Sequence, residues 1–100
     1  MVKHIVLWKL KEELSTDEKA KVKREIKEGL EELKEKIKEL VEIKVNIDGL
    51  EGSTVDVMLD TVFESEEALK TYASHPDHVA VGMAKIKPYM AERICYDYEF

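Results

Sequence analysis

The segment Tyr72-Ala73-Ser74-His75-Pro76-Asp77-His78 sets a phenol and two imidazoles within seven residues around a proline. A neutral imidazole, with a pKa near ~6.5, can take a proton at physiological pH, and a phenol can donate one or hold an enolate oxygen. The group therefore suits proton transfer. The third histidine, His4, lies near the other end of the chain. Spacing permits these side chains to converge without requiring it: His78 could start a helix at the surface, His4 could be a satisfied core histidine, and Tyr72, at helical spacing from Ala68 and Leu69, could be a packed aromatic. His75, Asp77 and His78, with or without His4, offer nitrogen and oxygen donors, but no second ligand cluster completes the set, so no metal is expected. Cys95, between Ile94 and Tyr96, has nothing local to lower its pKa and reads as filler of a core or an interface. The sequence holds neither a glycine-rich phosphate loop nor a G-x-S-x-G elbow, and no cofactor is expected.

These residues need elements to position them. Val2, His4, Val6, Trp8 and Leu10 share one face of a first strand, with Lys3, Ile5, Leu7 and Lys9 on the other. Ser15-Thr16-Asp17-Glu18 reads as a capping box. Val22, Ile26, Leu30, Leu33, Ile37 and Leu40 then predict one long amphipathic helix, Ser15 to Leu40, whose charged faces are solvated. Val41, Ile43, Val45 and Ile47 alternate as a second strand, and Asp48-Gly49-Leu50-Glu51-Gly52 turns the chain into a third, carrying Val55, Val57, Leu59, Thr61 and Phe63 on one face. Ser65 caps a short helix that stops near His75-Pro76, Pro76 opens another helical segment that ends at Pro88, and a last strand carries Ile94, Tyr96 and Tyr98 on one side. The order is β-α-β-β-α-β, a split βαβ sandwich of the α+β class with its helices on one sheet face.

Composition limits the function. A chain of 100 residues forms one domain, 1–100, and its longest apolar run, Ile5-Val6-Leu7-Trp8, is far short of a membrane span. A net charge of −6, from 16 basic and 22 acidic residues, opposes a grip on nucleic acid. Charges at Lys9, Lys11, Glu12 and Glu13 come too early for a secretory signal, so a cytoplasmic location is expected. With both helices spent on one sheet face, Ile5, Leu7, Met58 and Val62 are left on the other, and the economical cover is a second copy. A homodimer is expected.

The opening Met1-Val2-Lys3-His4-Ile5-Val6-Leu7-Trp8-Lys9-Leu10-Lys11 resembles the first strand of the stress-responsive alpha/beta-barrel (Dabb) domain family. So do the pairing of Phe63-Glu64-Ser65 with Tyr72-x-x-His75-Pro76-x-His78-Val79 and the closing Ile94-Cys95-Tyr96-Asp97-Tyr98. The resemblance spans nearly the whole chain and implies a ferredoxin-like monomer that dimerises sheet to sheet into a dimeric α+β barrel. A cofactor-free polyketide cyclase similar to this family has pocket histidines and a tyrosine that match His4, Tyr72 and His78. That likeness implies His78 as general base, Tyr72 as the group that orients or stabilises an enolate, and His4 as a pocket wall. The cyclase also uses a tyrosine from its long helix, where this chain has Ile26. Other relatives resemble plant stress proteins that form stable oligomers. Two functions are thus expected side by side: a stress-responsive dimeric barrel that binds a small apolar or phenolic ligand, and a cofactor-independent proton-transfer enzyme of the cyclase, isomerase or decarboxylase type.

Overall fold

In the computed structural model, which describes all 100 residues, alternation along β1 (Val2–Leu10) turns Val2, His4, Val6, Trp8 and Leu10 into the core. β1 lies between β3 (Val57–Phe63) and β4 (Met90–Glu99), and β2 (Leu40–Asn46) completes an antiparallel sheet of order β2-β3-β1-β4. The register sets His4 opposite both Thr61 and Asp97. One layer of helices covers the inward face: α1 (Thr16–Glu31), a single turn α2 (Leu33–Lys36), α3 (Glu66–Ser74) and α4 (Pro76–Val81), the last continued by a π-helical turn, Gly82–Ile86. The fold is ferredoxin-like, as expected. No helix is long and apolar enough to cross a membrane.

The capping box forms, with Ser15 Oγ accepting from the Glu18 amide at 3.1 Å and Glu18 Oε1 accepting from the Ser15 amide at 2.9 Å. The long helix is shorter than its apolar stripe. α1 ends at Glu31, α2 ends at Lys36, Ile37 is extended, and Leu40 already pairs with Phe63 in the sheet. All six stripe residues are buried, because the step from Ile37 to Leu40 fits a chain crossing from the helix layer to the sheet as well as it fits a helical turn. A register shift between Leu40 and Glu42 then restores Ile43 and Val45 to the inward face. The β2–β3 connection is also longer than the Asp48–Gly52 turn, since β3 begins only at Val57. Gly29 allows α1 to approach α4: a Cβ there would sit 3.2 Å from Val81 Cγ1.

The charged face of α1 is not wholly solvated. Lys27 Nζ donates to the Val45 carbonyl at 2.6 Å, and Glu31 Oε2 accepts from the Val45 amide at 2.9 Å, so the pair occupies the free edge of β2. Burial raises the Glu31 pKa, but the Val45 amide and Lys27 outweigh it and hold the carboxyl below the ordinary carboxylate range. Its contribution is therefore full at neutral pH and fades as pH falls through that lowered value. Glu31→Ala should cost about 1 kcal/mol in a urea melt at pH 7. An unchanged midpoint would mean that water replaces the carboxylate at no cost.

The two faces of the sheet differ in chemistry. Ile94, Tyr96 and Tyr98 extend the apolar outward row of Ile5, Leu7 and Met58, and all three are exposed in the single chain. The alternate residues of β4, namely Arg93, Cys95, Asp97 and Glu99, face the helix side and are also exposed. The helix layer makes its contacts with β1, β2 and β3 and leaves this polar row as one wall of a cleft.

Candidate functional site

The helix break at Pro76 separates the two neighbouring imidazoles. His75 is the N-cap of α4, its Nδ1 accepting from the Asp77 amide at 3.1 Å. His78, one turn into α4, folds back toward α3. Its Nδ1 lies 3.0 Å from the Ala73 carbonyl. A carbonyl only accepts, so Nδ1 carries the hydrogen and Nε2 presents its lone pair. The ring lies against Tyr72, with centroids 4.4 Å apart. Desolvation pushes the His78 pKa down, the Ala73 carbonyl opposes this, and electrostatic interaction with His4, Arg93 and His75 adds to the lowering. The imidazole is therefore neutral at physiological pH, as a base must be.

Tyr72 is fully buried at the end of an aromatic row. Phe63 lies 5.0 Å from Tyr72 and 6.4 Å from His4, centroid to centroid. The Tyr72 hydroxyl is buried with no partner in the chain, and burial alone pushes its pKa far up, so it stays a protonated donor. An unpaired buried hydroxyl costs roughly 1–3 kcal/mol. Tyr72→Phe should thus leave thermal stability unchanged or raise it slightly, a result calorimetry would check. A clear loss of stability would mean that the hydroxyl already has a partner in solution.

His4 is held from both neighbouring strands. Thr61 Oγ1 donates to its carbonyl at 2.7 Å, and its Nδ1 meets Asp97 Oδ1 at 2.5 Å, so Nδ1 carries the hydrogen of that bond and Nε2 is left unbonded. Asp97 was not among the residues singled out from sequence. The signal was there in the alternation of β4, which puts Asp97 on the same face as His4 once the two strands are paired. Cys95 departs from the expected filler role: it is exposed, and its thiol lies 3.4 Å from Asp97 Oδ1 and 3.7 Å from His4 Nδ1. Burial first, then Asp97, push its pKa up, which disfavours a thiolate. His4, Cys95 and Asp97 each offer a ligand atom within 4.8 Å of the others, but the Arg93 guanidinium beside the thiol opposes a cation there.

His4, Tyr72 and His78 line one cavity of about 360 Å³ between the sheet and α3–α4. Val6, Leu59, Met83 and Ile86 supply apolar wall, while Lys87 and Arg93 also border it. An adjoining, more polar cavity of about 510 Å³ shares His4, Ala73 and Arg93 and extends along Asp97 and Glu99. Ile26 is a fully buried core residue and does not border the cavity.

An antiparallel four-stranded sheet with one helix layer and a cavity between them defines a ferredoxin-like α+β protein. The chain belongs to the stress-responsive A/B barrel domain family, whose model matches residues 2–100. Among solved structures, it is similar to a dimeric protein of unknown function with a ferredoxin-like fold from Bacteroides fragilis, at 38% identity and TM-score 0.94, covering 99% of this chain and 95% of that one. A dimeric ferredoxin-like protein of unknown function from Thermobifida fusca shares 25% identity at TM-score 0.81, over 99% and 90% of the two chains. The hydroxynitrile lyase of Passiflora edulis shares the fold at 19% identity and TM-score 0.77, over 97% and 90%. No curated protein matches significantly.

Proposed function

We propose that this chain is a single-domain, cytoplasmic stress-responsive protein that forms a homodimer and binds a small apolar or phenolic ligand in the cavity bounded by His4, Tyr72 and His78. The observation that carries this reading is the largely apolar cavity of about 360 Å³ on which His4, Tyr72 and His78 all border. A concave apolar space with a few convergent polar groups is the usual form of a small-ligand site. The dimeric descriptions of the Bacteroides and Thermobifida structures and the exposed apolar outer face support the homodimer.

A second reading, cofactor-independent proton transfer, rests on the tautomer of His78. A neutral ring with Nδ1 tied to a carbonyl and Nε2 free is a general base, and Tyr72, 4.4 Å away ring to ring, is a proton donor for a developing enolate.

The test is a thermal-shift screen of small phenolics and ketides on wild type and His78→Ala in parallel. A ligand at a hundred times its Kd should stabilise wild type by about 2.7 kcal/mol and the variant by much less. Equal shifts in both proteins, or none with any compound, would refute binding in this cavity. If a compound is also converted, the rate should fall with acidification only below the ordinary histidine range, because the His78 pKa is lowered.

A further inference from the structure

The cavity bounded by His78 and Tyr72 is electrostatically one-sided. Acidic residues outnumber basic ones by 22 to 16 in the chain, yet no aspartate or glutamate borders this cavity, and its only formally charged side chains are Lys87 and Arg93. Neither cation forms an ion pair within the chain. Arg93 also borders the adjoining cavity that carries Glu66, Asp97 and Glu99, but none of these acids pairs with it, and Asp97 is engaged with His4. A guanidinium without an ion-pair partner at the rim of an apolar space is a site for an anion, and its planar fork matches a carboxylate with two parallel hydrogen bonds.

We infer that the ligand is an apolar monocarboxylic acid whose carboxylate is held by Arg93, with Lys87 adding charge, and whose apolar body lies among Leu59, Met83 and Ile86. This rests on the reading of the cavity as the binding site and adds the ligand's charge class to it. Arg93 faces inward opposite Trp8 on the edge strand, so an acid anchored there extends inward toward the His78 imidazole and the Tyr72 hydroxyl. The volume, about 360 Å³, corresponds at roughly 30 Å³ per water to about a dozen solvent molecules, which suits an acid of roughly a dozen non-hydrogen atoms.

The test compares 4-phenylbutanoate with 4-phenylbutanamide, probes of nearly identical shape that differ in charge, by titration calorimetry on wild type, Arg93→Gln, Arg93→Lys and His78→Ala. The acid should bind wild type about tenfold or more tightly than the amide, and added salt should shrink that preference. Arg93→Gln should remove the preference, and Arg93→Lys, with the charge but not the fork, should keep part of it. Equal affinity for acid and amide, or a preference that survives Arg93→Gln, would overturn the inference. If binding is equal but weakened by His78→Ala, the cavity reading stands and the charge class falls. If neither probe binds wild type, both fall.

Discussion

Leu7→Glu is expected to convert a dimer into a monomer. Leu7 sits on the outward face of the central strand β1, paired with Met58 on one side and Ile94 on the other; that face carries half-buried Ile5 and exposed Tyr96 and Tyr98, whereas Val62, expected in the same uncovered row, is buried within the chain. Apolar surface contributes about 25 cal/mol per Å² when it is removed from water, and a stable interface buries about 1,200–2,000 Å² in total. A two-fold axis through such a face places the substitution in the interface twice, and each carboxylate would lose several kcal/mol of hydration on association. Wild type should scatter light at twice the chain mass of 11.6 kDa, and the variant at the single mass. Lys21→Gln, on an exposed position of α1, makes the same change in charge far from the sheet and should leave the dimer intact. A wild-type monomer, or a Leu7→Glu dimer, would show that the outer face is not the contact.

Strand patterns were legible wherever one face is core and the other is not. β1 alternates over its whole length, and its first residues therefore announced both the inward position of His4 and the apolar outer row. The helix after Ser15 was legible at its start, where the capping box is a local hydrogen-bond pattern, and not at its end. Ile37 and Leu40 are buried by whichever element they join, so their hydrophobicity carries no information about where the helix stops. The same limit applies to the site. His75 and His78 look alike in sequence, and only the backbone geometry at Pro76 makes one a cap and turns the other against Tyr72. Asp97 lies 93 residues from His4 and Arg93 lies 85 from Trp8, and the antiparallel pairing of the first and last strands brings them together. Arg93, Cys95, Asp97 and Glu99 form the polar inward row that a wet face would also show. Their polarity records that the helix layer stops short of β4, which is why a cavity exists there at all.

Phe63→Ala should be the most damaging single substitution for the fold. Phe63 is fully buried, stands at the end of β3 opposite both Val2 and Leu40, and joins His4 to Tyr72 through aromatic contacts of 6.4 and 5.0 Å. Truncating a buried phenylalanine costs about 3–5 kcal/mol, because the lost transfer energy is joined by the cavity that the neighbours fail to fill. A domain of this size has about 5–15 kcal/mol to lose. Phe63→Leu keeps most of the volume and should cost under about 1.5 kcal/mol, provided the neighbours repack. Both are read as denaturant midpoints at one fixed protein concentration, since association contributes to the apparent stability of a dimer. The leucine variant separates packing from positioning. It folds, but it removes the ring against which Tyr72 is tilted, so the ligand-induced thermal shift should weaken in it even though His78 and Tyr72 are intact. A full ligand response in Phe63→Leu would mean that the helix break at Pro76, and not the aromatic row, holds the phenol against the imidazole.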